Sequence, residues 1–249
     1  MLDLSGQCAL VTGAGVRLGR ALAEALAARG CKLILHCNTS RKGALEVARV
    51  ICKNGGDAAV LGADLCDEKQ VLNLARTAEK IFGGVDILIN NAAVFWPTPL
   101  EKLNAAQLDA FHRVNLQAPF ILSSELGRRM LARAKKNRSR RGAILNMACL
   151  SGLKAWKTHL PYSISKAGVI SLTVGLAKLL APHVRVNAIA PGTVLPPEKM
   201  SAAERARLRK KIPLQTFGSP QDIVDAALYL LSAPFVTGQV LVVDGGRSL

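Results

Sequence analysis

Seven short apolar runs alternate with segments of helical periodicity, and this alternation restricts the fold more than any other feature of the chain. The runs are predicted strands at residues 8–12, 32–36, 58–65, 85–92, 143–147, 184–190 and 239–246. The predicted helices lie near residues 18–29, 40–53, 67–82, 104–133, 160–180, 197–211 and 220–231. The early runs are continuously apolar, which is typical of strands buried on both faces of a parallel sheet. Repeated strand–helix units with right-handed crossovers predict an α/β fold, a doubly wound seven-stranded parallel sheet with helices on both faces.

The composition favours one soluble domain over residues 1–249. Hydrophobic residues make up 50% of the chain, and long repeats and flexible linkers are absent. The N-terminal sequence MLDLSGQ lacks the features of a signal peptide, and no apolar run approaches the roughly 18 residues of a membrane span. Six scattered cysteines and four scattered histidines indicate neither a disulfide framework nor a metal site. We therefore expect a cytoplasmic protein that binds no metal and has no membrane partner.

The formal net charge of +16 comes from two short basic segments. Residues 128–141 contain eight basic residues and no acid, and residues 205–211 contain five more, also without an acid. Nucleic-acid binding is one interpretation of such segments. Aromatic residues are not interleaved with the charges and no recognition module is visible, so a solvated helix end and loop is the favoured interpretation.

A glycine-rich turn follows the first predicted strand and opens the first predicted helix. Gly13, Gly15 and Gly19 form a GxGxxxG pattern, with Arg17 and Leu18 inside the turn. In this setting backbone N–H groups and the helix N-terminus face an anion. A tight turn without a ligand is the simpler alternative. The pattern predicts a Rossmann-like dinucleotide site at the carboxyl ends of the strands.

The end of the second predicted strand favours NADPH over NADH. An NAD site places an acidic residue there, whereas this chain has His36, Asn38, Ser40 and Arg41. A donor-rich, cationic pocket suits a 2′-phosphate, because charge-assisted hydrogen bonds to phosphate are strong. Arg41 is alternatively a solvated residue of the next helix. Later strand ends contribute the remaining predicted cofactor contacts, with Asp64 accepting from the adenine amino group: Asp64, Leu65, Asn91 and Ala92.

Tyr162 and Lys166 form a Tyr-xxx-Lys pattern on a predicted helix. The i, i+4 spacing places both side chains on one face, where the ammonium is expected to lower the pKa of the phenol. The same lysine can hold the nicotinamide ribose. Tyr162 is then the predicted proton donor for a substrate that accepts a hydride.

These motifs together resemble the short-chain dehydrogenase/reductase family over essentially the whole chain. The matching landmarks are TGAGVRLG, DL at 64–65, NNA at 90–92, Asn115, Tyr162 with Lys166, VRVNAIAPG and DGG at 244–246. The resemblance implies a homotetramer, cofactor contacts from Pro191 and Gly192, and a proton relay that Asn115 supports.

One landmark of the family is missing. The family has a serine 13 residues before the tyrosine that orients the substrate oxygen, and here that position is Cys149. A thiol is a weak hydrogen-bond donor. Three interpretations are open. Cys149 takes the catalytic role of that serine, or Ser151 takes it if the strand continues that far. In the third, Cys149 is only a small packing residue.

A narrower resemblance points to pteridine reductases and the related dihydromonapterin and dihydrofolate reductases. It rests on Arg17, on HCNTS, on NNAAVFWPTPL at 90–100 and on VTGQVLVVDGGRSL. It implies that Phe95, on an exposed proline-rich loop, stacks on the pterin, that Arg17 contacts both pterin and cofactor phosphate, and that Tyr162 faces the substrate. Pteridine reductases have an aspartate where this chain has Cys149, which is a departure from the pattern.

Three functional hypotheses follow. The first is NADPH-dependent reduction of a dihydropterin or dihydrofolate. The second is a carbonyl reductase of the 3-oxoacyl type that uses the same Tyr162 and Lys166. The third is a non-catalytic NADPH- or nucleic-acid-binding protein. Under the first hypothesis, the basic residues 205–211 are candidates for attracting an anionic substrate tail.

Overall fold

Seven parallel strands form one sheet in the computed structural model, which describes residues 1–137, 141–196 and 200–249. The order across the sheet is β3-β2-β1-β4-β5-β6-β7, and every neighbouring pair is parallel. The strands are β1 Cys8–Val11, β2 Lys32–Cys37, β3 Ala58–Gly62, β4 Ile87–Asn90, β5 Gly142–Met147, β6 Val184–Pro191 and β7 Val240–Val243. The predicted doubly wound sheet is confirmed.

Helices cover both faces of the sheet. They are α1 Arg17–Ala27, α2 Arg41–Lys53, α3 Glu68–Ala78, α4 Ala105–His112, α5 Ala118–Lys136, α6 Leu150–Leu153, α7 Leu160–Leu180, α8 Ala202–Arg209 and α9 Pro220–Ser232. Apolar residues of α1, α2 and α9 pack on one face of the sheet, and those of α3, α5 and α7 pack on the other. The continuously apolar strands predicted from the sequence are therefore buried between two cores.

The structure shortens several predicted elements. The third strand ends at Gly62 rather than residue 65, and the fourth covers only Ile87–Asn90. The predicted helix 67–82 ends at Ala78, ahead of a turn with positive φ at Phe82 and Gly83. The predicted helix 197–211 begins at Ala202 behind a Ser201–Glu204 capping box, and residues 197–199 lie outside the described residues.

The predicted helix 104–133 is interrupted. A π-helical turn, Arg113–Gln117, separates α4 from α5. Inside this turn the side chain of Asn115 bonds to the backbone of Val94, which lies on a different part of the chain. Apolar periodicity alone does not reveal such an inserted residue, because it continues on both sides of the turn.

The helix α7 is long and apolar enough, by length and composition, to cross a membrane. No such segment was expected from the sequence, and the helix contains Lys166. The same helix packs on the sheet, and its polar residues Tyr162, Lys166 and Thr173 are buried in the protein. This is the arrangement of a core helix.

The basic segment 128–141 is not uniformly solvated. Arg133 pairs with Glu79, lies 3.9 Å from Asp86, and its side chain is only 18% exposed. Arg128 pairs with Glu125. Part of this segment's charge is therefore neutralised inside the fold, while residues 138–140 lie outside the described residues.

Two glycines let the glycine-rich turn and α2 approach each other closely. A Cβ atom at Gly43 would lie 2.4 Å from the carbonyl oxygen of Gly15, and one at Gly15 would lie 2.7 Å from the carbonyl oxygen of Ser40. Both distances are too short for a real contact. The packing of α2 on the turn therefore requires glycine at both positions.

Gly43→Ala is expected to destabilise the protein by about 1–3 kcal/mol, because the added methyl group overpacks against Gly15. Gly175 in α7 is the matched control, since a Cβ there meets nothing within 4 Å. Gly175→Ala is expected to stabilise the protein by up to about 1 kcal/mol through helix propensity. Urea unfolding of both variants measures the two changes, and equal signs would contradict this account of the contact.

Candidate functional site

A cavity of about 410 Å³ opens at the carboxyl ends of β1, β2 and β4. Because β1 lies between β2 and β4, this is the topological switch point of the sheet. The cavity is lined by these residues predicted to bind the cofactor: Gly13, Arg17, Leu18, Gly19, His36, Asn38, Ser40, Asp64, Leu65, Asn91 and Ala92. We call it the strand-edge cavity.

Five predicted cofactor residues do not line this cavity: Gly15, Arg41, Lys166, Pro191 and Gly192. Gly15 packs against α2, and Arg41 is the first residue of that helix. Pro191 ends β6, and the backbone N–H of Gly192 bonds to Val243 at 2.9 Å. The sequence analysis missed the lining residues Val16, Thr39, Cys66, Ala93, Val94 and Val114. Apolar and small side chains at loop positions carry no chemical signal.

The glycine-rich turn is held by the segment that follows β4. The hydroxyl of Thr12 accepts hydrogen bonds from the backbone N–H groups of Asn91 (2.9 Å) and Ala92 (3.0 Å). The side-chain amide of Asn91 donates to the carbonyl oxygens of Thr12 (2.8 Å) and Gly13 (3.3 Å). These four bonds fix the floor of the cavity. The sequence analysis missed Thr12, and its only signal was a polar residue at the end of an apolar strand.

His36 does not supply the cationic donor that the sequence analysis expected. The imidazole is 1% exposed, its Nδ1 accepts from the backbone N–H of Gly13 (3.3 Å), and its Nε2 lies 3.0 Å from the carbonyl oxygen of Ala63. These partners assign the neutral ring with hydrogen on Nε2, and burial lowers its pKa. Both nitrogens are used, so His36 positions the turn rather than binding a phosphate.

The two helices that begin beside the cavity present their positive ends to it. The residue that precedes α1, Val16, has no side-chain acceptor, and Ser40 makes no side-chain capping bond to α2 within the described part of the chain. Neither helix has an acidic residue in its first turn. The N–H groups and dipoles at both ends are therefore left for an anion.

Arg17 joins the glycine-rich turn to the loop after β6. Its Nη2 donates to the carbonyl oxygen of Leu195 at 2.8 Å. The backbone of Arg17 has φ +51°, a left-handed conformation that residues other than glycine rarely adopt. The arginine is therefore held in an unfavourable conformation where a glycine would be unstrained.

Tyr162 and Lys166 are buried side by side on α7, as the spacing predicted. The Lys166 Nζ lies 5.8 Å from the centroid of the Tyr162 ring and donates to the carbonyl oxygen of Met147 at 2.7 Å. Burial lowers the pKa of Lys166 to about 8. Burial also raises the pKa of Tyr162 well above its ordinary value, and the neighbouring Cys149 raises it further. The expectation that the ammonium lowers the phenol pKa is wrong in this structure, because desolvation dominates.

Cys149 lies beside Tyr162. It follows β5, its Sγ accepts from the backbone N–H of Ser151 (3.5 Å) at the start of α6, and it packs against Tyr162. Because β5 ends at Met147 and Leu150–Leu153 is helical, the strand does not continue to Ser151. The condition under which Ser151 would replace the thiol is therefore not met. The thiol itself occupies the position next to the phenol.

Asn115 connects the loop after β4 to α7. Its Oδ1 accepts from the backbone N–H of Val94 (2.8 Å), and its Nδ2 donates to the carbonyl oxygen of Val94 (3.0 Å) and to the Ser165 hydroxyl (3.2 Å). The π-helical turn that contains Asn115 directs this side chain inward, and such turns are frequent at functional sites. The bonds place the residue after Val94 close to the catalytic helix.

That residue is Phe95, whose ring is 54% exposed on an irregular loop, as the sequence predicted. It is stacked on His159, with ring centroids 4.6 Å apart and an interplanar angle of 6°. Its edge contacts are with Tyr162 (4.8 Å) and Trp156 (6.4 Å). We call these four residues the aromatic cluster. The sequence analysis missed His159 and Trp156, since the packing of two separate loops brings them to Phe95.

Comparison with known proteins identifies the family. A family model described as enoyl-(acyl carrier protein) reductase matches residues 13–248. The chain is 36% identical to the 3beta-hydroxysteroid dehydrogenase 1 of Eggerthella lenta over an alignment of 254 positions, which covers 99% of this chain and 95% of that protein. It is 33% identical to the 3-oxoacyl-(acyl-carrier-protein) reductase of Synechocystis sp. over 252 residues, with coverage of 99% and 98%.

The crystal structure of FolM alternative dihydrofolate reductase 1 from Brucella canis, complexed with NADP, has a TM-score of 0.89 to this structure. The two chains are 31% identical, and the match covers 99% of this chain and 95% of that one. The family model, the relatives and the shared fold agree with the motifs around Gly13, Tyr162 and Lys166. The chain belongs to the short-chain dehydrogenase/reductase family of oxidoreductases.

Proposed function

We propose that this protein is an NADPH-dependent reductase of a pteridine substrate of the dihydropterin or dihydrofolate type. The observation that carries the proposal is the half-exposed ring of Phe95. This residue lies on the loop that leaves the strand-edge cavity, and its ring contacts Tyr162 on α7. A flat heteroaromatic substrate suits such an aromatic face. The structural similarity to the dihydrofolate reductase of Brucella canis supports the same substrate class.

The strand-edge cavity fits a phosphate-bearing dinucleotide. The glycine-rich turn and the start of α1 would hold the pyrophosphate, and Asn38, Ser40 and Arg41 would hold the 2′-phosphate. Asp64 and Leu65 would contact the adenine, and Lys166 the nicotinamide ribose. NADPH supplies a hydride when bound, and NADP in the Brucella canis structure supports this cofactor.

Arg17 would be shared between the cofactor phosphate and the substrate ring. A guanidinium has five N–H donors in a planar fork, and Leu195 uses only one nitrogen of Arg17. The position of Arg17 at the edge of the strand-edge cavity supports contacts with both the cofactor phosphate and the substrate ring. The left-handed backbone of Arg17 is then retained because the side chain is needed there.

The phenol of Tyr162 would donate the proton. Its raised pKa keeps the hydroxyl protonated at neutral pH, and the ammonium of Lys166 lies beside it. Asn115 positions Phe95 through Val94, and its part in a proton relay stays a prediction. A homotetramer in the cytoplasm is proposed from the family resemblance alone.

Arg17→Ala is expected to lower kcat/KM for dihydrobiopterin at least about 100-fold, because the substrate loses a charged partner. The dissociation constant of NADPH is expected to rise less than tenfold, since the backbone groups of the turn remain. Steady-state kinetics and fluorescence titration with NADPH measure the two changes. A larger loss of NADPH affinity than of turnover would assign Arg17 to the cofactor alone.

The pH profile of reduction is expected to follow the ionisation of Lys166. Its pKa of about 8 keeps the ammonium charged at pH 7, so kcat/KM should fall as the pH rises through 8. Lys166→Arg should move this decline above pH 10, because a guanidinium stays protonated. Lys178→Arg, on the exposed side of the same helix, is the control. A decline that Lys166→Arg leaves in place would assign it to another group.

Carbonyl reduction of the 3-oxoacyl type is the second candidate, supported by the relative from Synechocystis sp.. Tyr162 and Lys166 suit either reaction, whereas Cys149 offers a ketone oxygen only a weak donor. Cys149→Ser is therefore expected to raise kcat/KM for an acetoacetyl thioester about tenfold and to leave pterin reduction within a factor of about three. Assays of both substrates decide between the candidates, since a wild-type enzyme that prefers the thioester would favour the second.

A further inference from the structure

Arg247 lies beside the aromatic cluster, and the proposed reaction gives its side chain no role. Its guanidinium carbon lies 5.5 Å from the centroid of the Trp156 ring, and its Nη1 donates to the hydroxyl of Thr193 at 2.5 Å. The carboxylate of Asp244 accepts from the backbone N–H groups of Gly246 (2.8 Å) and Ser248 (2.6 Å). The turn that presents Arg247 is therefore fixed on both sides of this residue.

Among the residues that the structure describes, Arg247 has no ion-pair partner of opposite charge. Within residues 1–137, 141–196 and 200–249, no carboxylate oxygen lies within 4.0 Å of this guanidinium. The nearby Asp244 uses its oxygens on backbone amides. The side chain is partly buried between an indole face and a hydroxyl, which desolvates the cation without neutralising it. Such a position favours an anionic ligand.

A chain of ring contacts connects Arg247 to the reaction site. Tyr162 contacts Phe95, and Phe95 contacts Trp156. The guanidinium of Arg247 lies over the Trp156 ring. One indole therefore separates the guanidinium from the ring on which the substrate is proposed to stack. A side chain that leaves a pterin on Phe95 and passes along Trp156 would reach this charge.

We propose that Arg247 binds a carboxylate on the side chain of the substrate. This inference rests on the proposed function and narrows it: the substrate is a dihydropterin with a carboxylate-bearing tail, as in dihydrofolate, and not one with a neutral side chain. A guanidinium binds a carboxylate through paired hydrogen bonds, and two of the three nitrogens of Arg247 are not used by Thr193.

The basic residues of α8 are the competing explanation for recognition of an anionic tail. Two of them already have partners within the protein. The guanidinium of Arg209 lies 5.5 Å from the centroid of the Phe217 ring, and Arg205 donates to the carbonyl oxygen of Met200. Arg207 is exposed on the same helix. It therefore provides a matched control for the loss of one positive charge near the site.

The test compares Arg247→Gln, Arg247→Lys and Arg207→Gln with the wild type. Calorimetry in the presence of NADP+ measures binding of folate and biopterin, and steady-state kinetics measure KM for dihydrofolate and dihydrobiopterin. Arg247→Gln is expected to weaken folate binding and raise KM for dihydrofolate about tenfold, with changes below about twofold for the biopterins. Arg247→Lys should recover part of the loss, and Arg207→Gln should change nothing.

Several results would overturn the inference. If Arg247→Gln weakened the binding of folate and biopterin equally, Arg247 would be a packing residue. If Arg207→Gln weakened folate binding as much as Arg247→Gln does, general electrostatic attraction by the basic surface would explain the effect. A wild-type protein that binds folate no more tightly than biopterin would also refute it, even if both dihydropterins were reduced. Conversely, Arg247-dependent folate binding without any turnover would refute the proposed reaction and leave the carboxylate site standing.

Discussion

The paired hydrogen bonds between the amide of Asn115 and the backbone of Val94 hold the site together. They join the loop after β4, which begins at the strand-edge cavity, to the π-helical turn, and Asn115 also donates to the hydroxyl of Ser165 on the helix that carries Tyr162. A regular helix through residues 113–117 would direct Asn115 differently, so the π-helical turn is the local irregularity that makes the connection. Without it, nothing in the strand pattern would place Phe95 against Tyr162.

Desolvation is the main cause of the shifted pKa values of Tyr162 and Lys166. Tyr162 and Lys166 are both buried, and burial disfavours the charged form of each, so the phenol stays neutral while the lysine loses basicity. The sequence analysis considered only the attraction between the two groups, because spacing reveals neighbours but not how much water they keep. Cys149 acts in the same direction on the tyrosine as burial does. The result is a phenol that stays protonated across the physiological pH range.

The sheet could be predicted from the sequence because each strand contains several consecutive apolar residues, and together they indicate a buried strand. The positions of the predicted site residues agree with the structure where a motif fixes the backbone, as at Gly13 and Gly19, or where two residues share a helix face. His36 lines the cavity as predicted, but it is not the expected cationic donor. Both of its ring nitrogens have hydrogen-bond partners on other loops, which the sequence does not reveal. His159 and Trp156 were missed for the same reason, because contacts between irregular segments leave no periodic trace.

Two arginines hold the loop after β6 from different parts of the chain. Arg17 bonds to the carbonyl of Leu195 from the glycine-rich turn, and Arg247 bonds to the hydroxyl of Thr193 from the segment after β7. Under the proposed function, the first is at the ring end of the substrate and the second at its tail. Residues 193–195 are then where the two halves of the substrate are brought into register with the cofactor.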